Sequence, residues 1–146
     1  MHEQGMAPLQ VWNRTASKLP EESDLIKHAK DLQSIAQHCD VIFTSLSSDE
    51  AAKAVYTELF EGAKKKDPKG DGFKGDTKGK STIFVDTSTL YPALSGDLER
   101  EAADIPHCYY LQCPVFGPPP MAEAAKLVFV MSGSCFQSVR DCSEAH

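Results

Sequence analysis

The stretch STIFVDTSTLYPALSGDLEREA, residues 81–102, carries the signals that decide the fold. An apolar run rich in β-branched residues gives way to polar residues, and Pro92 then opens a segment in which Leu94, Leu98 and Ala102 recur at helical spacing. A nearly continuous apolar run is typical of a strand that is covered on both faces. The stretch therefore predicts a buried strand that leads directly into a helix.

The same order of strand and helix recurs along the chain. Short apolar runs predict four further strands, at residues 9–12, 41–46, 109–115 and 126–131. Repeated strand–helix–strand units favour an α/β domain built on a parallel sheet with right-handed crossovers.

A second helix is predicted from Asp49 to Glu61, because its apolar residues repeat at helical spacing. Ser47 and Glu50 would form a capping box at its start, and Gly62 would end it.

Residues 19–38 fit two interpretations. One is a single helix. The other, which we favour, is a short strand near Leu25 followed by a helix that is capped at Asp31.

Length and charge limit the classes of function. A chain of 146 residues is one domain, and its net charge of -6 argues against nucleic acid or an anionic membrane as the main partner. We find neither an apolar run long enough for a membrane span nor the pattern of a signal peptide. We therefore expect an intracellular protein, cytoplasmic in the first instance, with a mitochondrial location also open.

The five cysteines are an odd set without close pairs, which favours reduced thiols: Cys39, Cys108, Cys113, Cys135 and Cys142. A zinc site from His107, Cys108 and Cys113 lacks the paired ligand spacing of structural zinc sites, so we predict no metal.

Residues 64–80 interrupt the alternation with seven lysines and four glycines, which is typical of a surface loop. A phosphate-binding loop is excluded because the glycines precede a strand rather than a helix. A calcium loop is excluded because Lys69 and Lys78 stand where oxygen ligands are needed. A basic patch for nucleic acid is the remaining alternative, and the acidity of the rest of the chain argues against it.

Polar residues follow the first strand, where ligands of parallel sheets bind. In a dinucleotide-binding fold, a carboxylate at this position binds the ribose 2′-hydroxyl, whereas arginine accommodates a 2′-phosphate. Asn13, Arg14 and Thr15 include no carboxylate, so they predict NADP rather than NAD. The alternative is an ordinary helix cap with a solvated Arg14.

Two further strand ends are unusual. Residues 86–89 are four consecutive polar residues, which is more than helix capping requires. Residues 113–127 contain a glycine followed by three prolines, which predicts a rigid bend.

Together these stretches resemble a known family. VWNRTASK, CDVIFTSLSSDEAAKAVY, STIFVDTSTLYPALSGDLEREA and CPVFGPPPMAEAAKLVFVMSG are similar, in order and spacing, to the NADP-binding domain of the β-hydroxyacid dehydrogenases. This group includes 6-phosphogluconate dehydrogenase and 3-hydroxyisobutyrate dehydrogenase. The resemblance covers residues 5 to about 133 and implies a Rossmann-like, doubly wound parallel sheet.

The resemblance also implies site residues. Those that would contact the cofactor are Asn13, Arg14 and Thr15 at the 2′-phosphate, Leu46, Ser47 and Ser48 along the dinucleotide, and Ser88 and Thr89 towards the nicotinamide ribose. Phe116, Gly117 and Pro118 align with the substrate-binding serine, glycine, glycine of the family, of which only the central glycine is kept. The implied partners are NADP and a small hydroxyacid.

Two parts of the family pattern have no counterpart in residues 1–146. These are the first strand with its glycine-rich turn, and the downstream helical domain that carries the catalytic lysine. We therefore expect a Rossmann-like domain at residues 1–133, followed by a short helix or divergent tail at 134–146. We assign no catalytic residue, and we expect that the chain does not transfer hydride by itself.

Without the first strand, residues 9–12 would either pair directly with residues 41–46 or leave strand edges exposed that favour a homo-oligomer. The alternative function is a protein-interaction module derived from the same fold.

Overall fold

The computed structural model describes residues 8–66 and 81–133. The strands are β1 (Leu9–Val11), β2 (Ile26–His28), β3 (Val41–Thr44), β4 (Thr82–Asp86), β5 (Cys108–Gln112), β6 (Val115–Phe116) and β7 (Val128–Phe129). The helices are α1 (Leu32–His38), α2 (Asp49–Lys64), α3 (Pro92–Ala103) and α4 (Pro119–Glu123), with a 3₁₀ turn at Ala16–Lys18. Most of the predicted lysine-rich loop, the predicted tail, Cys135 and Cys142 lie outside the described residues.

The predicted α/β class with parallel strands is confirmed. β3, β4 and β5 form one parallel sheet in that order, and β1 pairs with β2 in a separate parallel pair. The first strand therefore pairs with β2, and not with β3. β6 and β7 form an antiparallel hairpin, so the predicted last strand does not extend the parallel sheet.

The main core lies between the three-stranded sheet and helices α1, α2 and α3. The strand register sets Ile42, Phe84 and Tyr110 side by side on the face that these helices cover. Tyr56 and Phe60 from α2 pack against that row, with the Phe60 and Phe84 ring centroids 5.2 Å apart and edge to face. Burial of these aromatic rings supplies much of the driving force for folding.

The second interpretation of residues 19–38 is confirmed. β2 begins one residue after Leu25, and α1 follows with Asp31 as its N-cap. The Asp31 carboxylate accepts the backbone N–H of Ser34 at 2.7 Å, which supplies a partner for one of the unpaired donors at the start of the helix.

Helix α2 begins at Asp49, as predicted, but its N-cap and its end differ from the prediction. Its N-cap is Ser48 and not Ser47, and the Ser48 hydroxyl accepts the backbone N–H of Ala51 at 3.2 Å. Gly62 lies inside the helix rather than at its end. The reason is packing, because a Cβ at Gly62 would lie 2.5 Å from the backbone oxygen of Gln33 in α1. The glycine allows the two helices to approach closely.

None of the helices within the described ranges is both long and apolar enough to cross a lipid bilayer.

Candidate functional site

The candidate site is formed by the chain segments that follow β1, β3 and β4. The carboxyl ends of parallel strands form the edge at which open α/β sheets bind ligands. Trp12, directly after β1, packs against the main core, and this contact holds the small β1–β2 pair against the rest of the fold.

The segment after β1 is a polar turn that exposes an arginine. The Asn13 side-chain oxygen accepts the backbone N–H of Thr15 at 2.8 Å, which bends the chain locally. Arg14 between them is exposed, and no ion pair to its guanidinium occurs within residues 8–66 or 81–133. From Pro8 to Pro20 the sequence contains no carboxylate. The turn therefore presents a guanidinium that is available to an anion.

The ends of β3 and β4 are joined by side-chain hydrogen bonds. The backbone N–H of Leu46 donates to the Ser88 hydroxyl at 2.8 Å, and the backbone N–H of Ser88 donates to the Asp86 carboxylate at 2.8 Å. Thr87 adds a second link between the two ends, because its hydroxyl donates to the backbone oxygen of Thr44 at 2.7 Å. Ser88 is buried, whereas Thr89 is exposed. Of these two predicted cofactor residues, Ser88 is buried and hydrogen-bonded between the strand ends, whereas Thr89 lies at the surface.

The amino terminus of α2 already carries negative charge. Asp49 accepts the backbone N–H of Tyr91 at 3.2 Å. The pKa of Glu50 is lowered, first by its own backbone N–H and then by the Ser48 hydroxyl. These carboxylates satisfy the positive end of the helix dipole, so α2 does not offer an empty anion site. Ser47 is exposed beside this terminus, while Ser48 is used as the cap.

Beneath the strand ends lies a buried polar group that the sequence analysis did not assign. Asp86 is 0% exposed, and its second carboxylate oxygen accepts the Tyr110 hydroxyl at 3.1 Å. Tyr56 and Thr44 share another buried hydrogen bond of 2.8 Å. The sequence signal that could have indicated this group is an acidic residue at the end of an otherwise apolar strand. A carboxylate that is buried there requires hydrogen-bond donors nearby.

Both buried tyrosines have raised pKa values, caused first by burial of the hydroxyl and then by the neighbouring charge of Asp86. They therefore remain protonated at neutral pH, and Tyr110 can donate to Asp86.

These raised pKa values predict a loss of stability in alkali. When the folded-state pKa lies above that of the unfolded chain, the stability is fully present below about pH 10 and falls as pH rises further. We expect the free energy of unfolding to fall by up to about 1.4 kcal/mol per pH unit for each tyrosine. Urea denaturation from about pH 9 to about pH 11 measures this slope. The Tyr110→Phe variant should show a shallower slope, and an unchanged slope in that variant would contradict the assignment.

The predicted substrate residues lie on the β6–β7 hairpin, beyond the carboxyl end of β5. Phe116 is exposed on β6, and Pro118 precedes α4. Gly117 has a φ of +143°, and a Cβ there would lie 2.8 Å from the Leu127 side chain. A bridge between Gln112 and Ser132 connects this hairpin to β5. The turn at residue 117 thus requires glycine for conformation and for space.

The structure separates the residues that were considered for zinc. His107 and Cys108 lie at the amino end of β5, and Cys113 follows its carboxyl end, so the length of this strand separates them. No group of three or more metal-ligating side chains occurs in the described part of the chain. Cys39, Cys108 and Cys113 are free thiols, and burial raises the pKa of each.

A cavity of about 680 Å³ lies at the opposite edge of the sheet, next to the amino ends of β4 and β5. Lys66, Thr82, Glu101 and His107 are among its lining residues, and none of the predicted site residues is. Lys66 is held there by Asp40 and by the Thr82 hydroxyl, at 3.0 Å and 2.9 Å. We interpret this edge as structural.

The comparison with protein families places these features in context. The model of the NAD-binding domain of 6-phosphogluconate dehydrogenase matches residues 1–144. The chain belongs to this family. The resemblance inferred from the strand-end motifs is thereby confirmed.

Mitochondrial 3-hydroxyisobutyrate dehydrogenase of Drosophila melanogaster is 28% identical to the chain over 100 residues, which are 68% of this chain and 26% of that protein. The chain spans 26% to 40% of the length of the curated relatives that it matches.

Solved structures share the fold. 3-Hydroxyisobutyrate dehydrogenase of Mycobacterium tuberculosis, solved with L-serine, superposes with a TM-score of 0.62 at 22% identity, over 80% of this chain and 34% of that one. An imine reductase variant from Myxococcus stipitatus, in complex with NAD⁺, gives a TM-score of 0.67 at 17% identity, over 96% of this chain and 43% of that one. An imine reductase from Myxococcus stipitatus has also been solved in complex with NADP⁺. It gives a TM-score of 0.56 at 18% identity, over 81% of this chain and 36% of that one. Solved structures with this fold therefore include complexes with either dinucleotide.

Proposed function

We propose that this chain binds NADP in preference to NAD, as the nucleotide-binding part of an oxidoreductase that acts on a small hydroxyacid. Membership of the family supports the binding of a nicotinamide dinucleotide. The nucleotide-binding unit would comprise residues 1–133, with residues 134–146 outside it.

The observation that supports NADP is the exposed Arg14 in a turn without carboxylates. A guanidinium forms forked, charge-assisted hydrogen bonds with a phosphate, whereas a 2′-hydroxyl needs an acceptor such as a carboxylate. Asn13 and Thr15 flank Arg14 with neutral polar groups, which can donate to phosphate oxygens. The turn therefore suits a 2′-phosphate better than a bare ribose.

The remaining assignments follow from the positions of the strand ends. Leu46, Ser47 and Ser48 would run along the dinucleotide, with the Leu46–Ser88 hydrogen bond fixing the width between the ends of β3 and β4. Thr89, exposed at that edge, would approach the nicotinamide ribose. Phe116, Gly117 and Pro118 would bound the substrate, which lies beyond β5 in this arrangement. Bound NADP would supply the hydride chemistry, and these residues would only bind and orient.

Replacing Arg14 with alanine tests the proposal. We expect the dissociation constant for NADP to rise about tenfold and that for NAD to change less than about twofold, because only NADP loses a charge-assisted contact. Calorimetric titration of the full chain with each dinucleotide measures both constants. Lys18→Ala is the matched control, since Lys18 is another exposed cation of the same segment.

Equal losses for NADP and NAD in Arg14→Ala would overturn the assignment of Arg14 to the 2′-phosphate. A folded wild-type chain that binds neither dinucleotide would overturn nucleotide binding by this chain alone.

One observation favours a second candidate, a protein-interaction module. One face of the parallel sheet carries exposed apolar side chains, which on a monomer often mark a contact surface.

A further inference from the structure

The polar turn that follows β1 lies beside the end of β2. The two strands are parallel, with Val11 opposite His28, and the backbone N–H of Ala29 donates to the Val11 oxygen at 2.9 Å. The same register sets Trp12 beside Ala29, and both of these residues pack against the main core. The register therefore continues past the last paired residues, and the two strands end side by side.

Lys30 is the next residue in this register, beside Asn13. Successive side chains of a strand point to opposite faces, and residues in register share a face. Because Trp12 and Ala29 face the core, Asn13 and Lys30 face away from it. Adjacent strands lie about 4.8 Å apart, so the long Lys30 side chain is within reach of the turn that carries Arg14.

The charge of Lys30 is not neutralised by an ion pair. Lys30 is exposed, and the ion pairs in the described part of the chain do not include it. Two carboxylates near β2 are used by backbone donors. Asp31 accepts the N–H of Ser34 at 2.7 Å, and Glu22 accepts the N–H of His28 at 2.8 Å. Lys30 therefore presents an ammonium group that is available to an anion.

A pair of cations suits a phosphate monoester. Such a group carries a charge of about −1.5 to −2 at neutral pH, which is more than a single guanidinium neutralises. Arg14 offers a fork of N–H donors, and Lys30 offers a compact ammonium group. The Asn13 side-chain oxygen accepts the Thr15 N–H, so the Asn13 amide N–H groups remain as further donors. The 2′-phosphate of NADP is a monoester of this kind, and NAD lacks it.

We propose that Lys30 is a second specificity-determining residue for NADP, and that it shares the 2′-phosphate with Arg14. This inference rests on the proposed function and adds to it a residue from the neighbouring strand. The turn after β1 would hold one side of the phosphate, and the end of β2 would hold the other.

Two fragments of the cofactors isolate this contact. Adenosine 2′,5′-bisphosphate and adenosine 5′-monophosphate differ only in the 2′-phosphate. In Lys30→Ala, we expect the dissociation constant for the bisphosphate to rise about fivefold, as for an exposed charge pair. The dissociation constant for the monophosphate should change less than about twofold. NMR titration of the full chain with each fragment measures both constants.

Lys27→Ala is the matched control. Lys27 is an exposed lysine of the same strand, but it lies opposite Gln10 and points to the other face from Lys30. This variant should change both dissociation constants less than about twofold. Lys30→Arg keeps the positive charge and should recover most of the affinity for the bisphosphate that Lys30→Ala loses.

The results separate this inference from the proposed function. If Arg14→Ala lowers affinity for the bisphosphate and Lys30→Ala does not, Lys30 does not contact the phosphate, and the proposed preference for NADP stands without it. Equal losses for both fragments in Lys30→Ala would also overturn the inference, because a contact with the 2′-phosphate affects only one of them. A folded wild-type chain that binds the two fragments equally, or binds neither, would overturn both the inference and the assignment of Arg14.

Discussion

Replacing Gly62 with alanine should lower the free energy of unfolding by about 2 to 3 kcal/mol. The added Cβ would lie 2.5 Å from the backbone oxygen of Gln33 and 2.7 Å from its Cα, distances that require α1 to move. Alanine gains about 1 kcal/mol in helix propensity over glycine, but this gain is smaller than the cost of the backbone overlap. The displaced atoms belong to a backbone rather than to a flexible side chain, so a rotamer change cannot relieve the contact.

Gly96→Ala is the matched control, because Gly96 also lies within a helix and a Cβ there meets nothing within 4 Å. This variant should be more stable than the wild type, by up to about 1 kcal/mol. Urea denaturation of the three proteins, followed by circular dichroism, measures both changes. If both substitutions stabilised the chain, the close packing of α1 on α2 would be refuted.

Replacing Asp86 with alanine should cost about 3 kcal/mol of folding stability. The substitution removes the acceptor of two buried donors, the Ser88 backbone N–H and the Tyr110 hydroxyl. A buried donor without a partner costs about 1 to 3 kcal/mol of stability. The two losses together therefore exceed the cost of a typical surface substitution. Because Ser88 also accepts the N–H of Leu46, we expect the ends of β3 and β4 to loosen and nucleotide affinity to fall as well.

Two variants control for this experiment. Asp86→Asn has the same shape and keeps an oxygen for the Ser88 N–H, so it should cost about 1 kcal/mol. Asp97→Ala removes an exposed carboxylate that pairs with Arg100 on the surface of α3, and it should change stability by less than about 0.5 kcal/mol. Thermal and urea unfolding rank the four proteins. An Asp86→Ala protein as stable as Asp97→Ala would show that the buried hydrogen bonds do not form.

Much of the candidate site was visible in the sequence because its signals are local. The absence of a carboxylate around Arg14 and the polar cluster after the fourth strand can be recognised from neighbouring residues alone. The support beneath the site could not be recognised in this way. Asp86 and Tyr110 are 24 residues apart in sequence, and only the register of β4 and β5 brings them together.

The sequence by itself determined the parallel α/β class, the strand near Leu25 with the helix capped at Asp31, and the membership of the family. Periodicity, capping residues and strand-end motifs each involve only a few neighbouring residues. They can therefore be recognised without knowledge of the folded structure.

The tertiary structure alone decided that β1 pairs with β2, that β6 and β7 form a hairpin, and that Gly62 lies within α2. These outcomes depend on which segments of the backbone lie next to each other in the folded chain. Gly62 is an example. A glycine near the end of a helical pattern predicts the end of the helix. Only the close approach of the Gln33 backbone shows that this glycine is required for packing.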